Sequence, residues 1–156
     1  MTHWKIEREW EGETAVVIGG GPSLTPEQVE AAGRFRRVAV NDAWILDPDM
    51  DILVAGDQIW WSWHAHEVAS FRGRWRVSWK NVGHPPDYDV MKLRQLQGPP
   101  WFTDEADAVA CSNTGHGAVQ IAAHLGVARI LLLGFDMRAG GDGRANWHER
   151  HKRKAN

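Results

Sequence analysis

Five short runs of apolar or alternating residues set the rhythm of this chain. The first, Ala15-Val16-Val17-Ile18, is apolar and rich in β-branched side chains, as a strand covered on both faces is. Arg37-Val38-Ala39-Val40 and Asp51-Ile52-Leu53-Val54-Ala55 predict a second and a third strand. Arg74-Trp75-Arg76-Val77-Ser78 alternates and predicts a fourth with one exposed side. Arg129-Ile130-Leu131-Leu132-Leu133 is the most apolar of all, so it is expected to be central in the sheet, as is the first.

Helical patterns fall between the runs. One covers residues 26 to about 32 and stops near Gly33, a residue suited to the C′ position. A second covers about 58 to 71, with Ile59, Trp60, Trp63 and Val68 partly on one face. A third runs from 117 to about 125, where Ala118, Ala122 and Ala123 allow close approach to a sheet. Residues 80–108 carry Gly83, Pro85, Pro86, Gly98, Pro99 and Pro100, and predict an irregular insertion with one helical turn near 89–96. Strands alternating with helices predict an α/β fold, a single Rossmann-like domain with a mostly parallel central sheet. It would span residues 14–150, after a lead-in over 1–13 with room for a short helix carrying Trp4 and Trp10. A basic tail would follow over 151–156.

Composition narrows the class. A chain of 156 residues fits one domain and can bury about 70% of its unfolded surface. A net charge of −2 excludes a generally basic nucleic-acid coat. The run Arg150, His151, Lys152, Arg153, Lys154 reads as a solvated tail. One cysteine, Cys111, allows no internal disulfide and no cysteine-built zinc site, which suits a reducing cytoplasm. The polar N-terminus does not read as a signal peptide, and no apolar run is long enough to span a bilayer. The ten tryptophans are assigned to packing until a site claims them.

Chemistry concentrates where the runs end. The first strand feeds Gly19-Gly20-Gly21-Pro22-Ser23-Leu24, then Thr25, Pro26 and Gln28, which fit an N-cap, N1 and the N3 of a capping box. Glycines permit positive φ and leave room for a ligand against the backbone. A glycine turn at a helix N-terminus is a ready anion site, although such turns also serve tight packing. The turn is neither a P-loop nor a dinucleotide fingerprint. Asn41-Asp42 follows the second strand, Gly56-Asp57 the third and Gly134-Phe135-Asp136 the last. Ser112, Asn113 or Thr114 can cap the third helix. Parallel strands would bring these ends to one edge, where open α/β sheets bind ligands.

The Gly-x-Gly-Pro-Ser-Leu turn, Asn41, Asp57, the Thr114-Gly115 pair and Leu-x-Gly-x-Asp ending at Asp136 resemble bacterial sialyltransferases that use CMP-sialic acid. The same pattern marks a wider superfamily with phage-borne members and 6-hydroxymethylpterin diphosphokinases. The resemblance covers about 14–60 and 110–150. It implies a nucleotide-binding, glycosyltransferase-type transferase in the cytoplasm, the host's if the chain is phage-encoded. Gly19, Gly20, Gly21, Pro22 and Ser23 would face the phosphates. Asn41, Asp57, Thr114, Gly115 and Asp136 would contact the nucleotide, and His148 would be the general base. The sialyltransferases place an asparagine at the position of Gly20 and tyrosines after the last aspartate. Here Met137 and Arg138 follow, and Arg138 is the cation suited to a leaving phosphate. The implied partners are a nucleotide or nucleotide-sugar, CMP-linked in the enzymes resembled, and an acceptor; a homo-oligomer is compatible. No cofactor is required, whereas diphosphate transfer would need Mg²⁺. A non-catalytic phage accessory protein is the third class.

Several side chains keep two readings. Asp57 and Asp136 could hold Mg²⁺ or serve as a cap and a turn bond. His64-x-His66 offers two metal ligands without an evident third. Trp60, Trp61 and Trp63 could stack on a ligand, with core packing expected for at least two. Cys111 is expected to be a buried small residue rather than a nucleophile.

Overall fold

A polar side chain starts each of the three α-helices among the described residues. The Thr25 hydroxyl accepts from Gln28 N at the start of α1 (Pro26–Ala31), and the Gln28 side chain accepts from Thr25 N, completing the capping box. Asp57 caps α2 (Gln58–His64) by accepting from Ile59 N. Asn113 caps α3 (Thr114–His124) by accepting from His116 N. These elements belong to a computed structural model that describes residues 2–83 and 87–148. The basic tail, with Glu149 and Arg150, lies outside the described residues.

The strands are β1 (Thr14–Ile18), β2 (Arg36–Val40), β3 (Ile52–Val54), β4 (Trp75–Ser78), β5 (Met91–Lys92), β6 (Arg94–Leu96), β7 (Ala108–Ala110) and β8 (Arg129–Leu133). Six form one all-parallel sheet in the order β5-β4-β3-β2-β1-β8, and β6 pairs with β7 separately. Val17 stands opposite Val38 on one side and Leu132 on the other. The fold is the α/β, Rossmann-like single domain that the alternation predicts. Side-chain alternation sorts the core into two layers. Ala15, Val17 and Val38 pack on α3 through Ala118, Ile121 and Ala122, with Trp10, Trp75 and Trp79. Val16, Ile18 and Leu53 pack on the other face with Val29, Trp44, Trp60 and Trp61.

Four expectations need correction. β8 is not central but the sheet's edge, with Leu131 40% and Leu132 51% exposed. The chain steps outward from β1 to β5, then α3 returns it to the far side of β1. An apolar run reports burial preference, not place in the order. The helix expected over 58–71 ends at His64 and resumes as a 3-10 turn over Glu67–Ser70. The helical turn expected near 89–96 is instead the strands β5 and β6. Residues 2–8 form neither helix nor strand: Trp4 N donates to Lys92 O and Ile6 N to Ala106 O, and Ile6 and Trp10 are buried. Smaller differences are the start of α3 at Thr114 and the place of Gly33 inside a 3-10 turn. No helix among the described residues is long and apolar enough to cross a membrane.

Candidate functional site

The carboxyl ends of β1, β2, β3 and β8 open onto two adjoining hollows that share Asn41, Asn113 and Gly115. The smaller, about 380 Å³, lies among Gly19, Gly20, Gly21, Pro22, Asp136, Arg138 and His148. The larger, about 880 Å³, takes in Asp57 and Thr114. Ser23 lines neither. Strand order places the hollows at the point where the chain reverses direction across the sheet, beside β1.

The glycine turn is built for contact with β8 more than for a ligand. None of Gly19, Gly20 and Gly21 has positive φ, contrary to expectation. A Cβ on Gly21 would overlap the Asp136 carboxylate and stand 2.6 Å from Gly134 O; one on Gly19 would stand 2.7 Å from the same oxygen. The turn's donors are also engaged. Gly19 N donates to Leu133 O at 2.8 Å, Gly21 N to Gly134 O at 2.7 Å and Leu24 N to Gly21 O at 3.1 Å. Ser23 N donates to Asp136 Oδ2 at 3.2 Å. Among the described residues the Gly20 amide is the donor left over, and Gly20 O accepts from Trp147 N at 3.0 Å. The amides of Gly19, Gly21 and Ser23 are thus engaged within the protein, although Gly19, Gly20 and Gly21 still line the smaller hollow. Asp136 fills the place of an anion, and the Ser23 hydroxyl and amide hold its carboxyl below the ordinary range.

The open backbone donors lie across the cleft. In the first turn of α3, Asn113 takes His116 N through its side chain and Gly117 N through its carbonyl. The Thr114 and Gly115 amides precede these and face out of the helix end. The Thr114 hydroxyl accepts from Gly56 N at 3.3 Å and ties the end of β3 to α3. Asp57 accepts from Ile59 N at 2.8 Å as a helix cap. Asp57 lines the larger hollow and Asp136 the smaller, so these carboxylates do not meet around one ion. Asn41 sits between the hollows in the left-handed region, φ 51°, which an asparagine tolerates. Its Oδ1 is buried with no hydrogen-bond partner.

Around His148 the structure joins residues that sequence reasoning named but did not group into one site. His148 Nε2 stands 3.2 Å from Asp42 Oδ2. Asp42 is buried, accepts from Trp60 Nε1 at 2.6 Å, and has His64 Nε2 at 3.5 Å. Glu67 holds the other nitrogen of His64 at 2.8 Å. The ion-pair geometry turns two imidazoles toward one buried carboxylate. The signal for Asp42 was its place at the end of β2 beside Asn41; its partners lie 18 residues or more away in sequence and could not be paired without the fold. His64, a metal candidate in the sequence, is instead bound to carboxylates. Trp60 and Trp61 belong to the core, while Trp63 is 39% exposed. Burial pushes the Cys111 thiol up to about 11, which leaves it a poor nucleophile. No family model, curated protein or solved structure matches the chain.

Proposed function

We propose that the chain binds a nucleotide-activated donor along the carboxyl edge of its sheet and transfers the activated group to a hydroxyl acceptor, in the manner of a glycosyltransferase. The observation that carries this is His148 on the wall of the smaller hollow, 3.2 Å from the buried Asp42 carboxylate. A carboxylate behind an imidazole orients the ring and stabilises the imidazolium formed when it takes a proton. The resemblance supplies the donor class. The donor's phosphate sits at the Thr114 and Gly115 amides, between the hollows, rather than in the glycine turn. The acceptor's O–H bond breaks and its proton passes to His148. The acceptor oxygen bonds to the activated carbon as the carbon–oxygen bond to phosphate breaks. The electron pair leaves on the phosphate, and Arg138 on the same hollow neutralises it.

Thermal unfolding with CMP, UDP, GDP, ATP and their sugar derivatives tests the binding. A ligand at a hundred times its Kd adds about 2.7 kcal/mol of stability. His148→Ala then keeps its nucleotide affinity and loses about 10²–10⁴ in turnover. Turnover in EDTA separates group transfer from diphosphate transfer, which requires Mg²⁺. A panel in which no nucleotide raises the melting temperature removes the proposal.

A further inference from the structure

Asp42 is one buried carboxylate set between two imidazoles, and only one of the two rings has a role in the chemistry above. His64 ends α2, with its side chain 14% exposed. Its Nε2 stands 3.5 Å from Asp42 Oδ1, and its Nδ1 stands 2.8 Å from Glu67 Oε2, at the start of the 3-10 turn. A carboxylate only accepts, and an imidazole donates from both nitrogens only when it carries the extra proton. The geometry therefore suits a charged ring. Two neighbours favour that charge. The last turn of a helix attracts a cation, and the Trp60 ring lies 4.7 Å from the His64 ring at 33°. His148 approaches the opposite oxygen of Asp42, at 3.2 Å, and lines a hollow shared with the Asp136 carboxylate and the Arg138 guanidinium.

We infer, on the reading of His148 as the base, that His64 is a positioning residue: it holds a proton between Glu67 and Asp42, and its charge keeps His148 neutral until the acceptor arrives. A buried carboxylate alone would favour the charged form of the imidazole beside it, and a ring already protonated cannot take the acceptor's proton. His64 offsets Asp42 from the other side, so the carboxylate orients His148 without charging it. Trp60 Nε1, 2.6 Å from Asp42 Oδ1, fixes the carboxylate between the rings. Like charges on the two rings repel across Asp42, so the pair takes up its protons in two steps, His64 first.

The test follows the histidine ring signals of the full chain by NMR as pH is lowered, with no ligand present. His148→Ala and His64→Gln identify the two signals among those of eight histidines. In the parent, His64 takes its proton at a pH about one unit above His148. His64→Gln keeps a side-chain N–H toward Asp42 and removes the charge, so His148 then takes its proton about one pH unit higher than in the parent. Circular dichroism confirms that the variant is folded. Glu67→Gln, where the side chain is 59% exposed, moves the His64 step to lower pH. A His148 step that comes first in the parent overturns the inference. So does a His148 step that stays in place in folded His64→Gln, or a His64 step unmoved in Glu67→Gln; a merely structural His64 gives both of those results. No nucleotide enters this titration, so the two readings fail separately. A reversed order overturns the inference even where a nucleotide binds, and a nucleotide panel without binding removes the base reading, and His64's part in it, even where the order holds.

Discussion

Gly21→Ala probes how the glycine turn is built. The added Cβ meets the backbone oxygen of Gly134 at 2.6 Å and overlaps the Asp136 carboxylate. The carboxylate can swing aside; Gly134 O cannot, because it belongs to the chain leaving β8 and already accepts from Gly21 N at 2.7 Å. Forced packing of one carbon costs about 1–3 kcal/mol. Losing the Gly21–Gly134 hydrogen bond adds about 1 kcal/mol. The expected loss is about 2–4 kcal/mol, which for a domain of this size lowers Tm by on the order of 10 °C. Thermal unfolding by circular dichroism measures it. Gly141→Ala is the control, since nothing lies within 4 Å of a Cβ there. Repeating Gly21→Ala in an Asp136→Ala background separates the contacts: most of the loss should remain, because Gly134 O remains. A Gly21→Ala protein within about 0.5 kcal/mol of the parent would refute the account of the turn as a packing contact.

Two further predictions concern the same end of the chain. The Asp136 carboxyl is held below its ordinary value of 3.8, first by the Ser23 hydroxyl. Its contribution is thus present above that value and is lost as pH falls through the lower, folded value; Asp136→Asn should be less stable than the parent at pH ~7 and approach it at pH ~2, as measured by urea unfolding at both. Leu132→Lys, on the exposed edge strand, should shift the denaturant midpoint by the equivalent of no more than about 0.5 kcal/mol, while a loss of several kcal/mol would mean that β8 is covered.

Sequence alone determined the class of the fold and its local signals. Apolar runs alternating with helical patterns are enough for a parallel α/β sheet, because parallel strands need covered faces and helical crossovers. Thr25, Pro26 and Gln28 encode their capping box within four residues, so no tertiary partner is needed to read it. Strand ends bearing Asn41, Asp57 and Asp136 could be assigned to one edge from topology alone. Tertiary structure decided what those groups bond to. Arg129 to Leu133 reads as central by composition, yet the return through α3 places it outermost, since order follows connections rather than hydropathy. The glycine turn reads as an anion seat, yet β8 and Asp136 occupy it, because the amides of Gly19, Gly21 and Ser23 donate to residues more than a hundred positions away. Asp42, His64 and His148 come from an outgoing strand end, a helix and the last described loop. Only the fold brings those three segments within hydrogen-bonding range of one buried carboxylate.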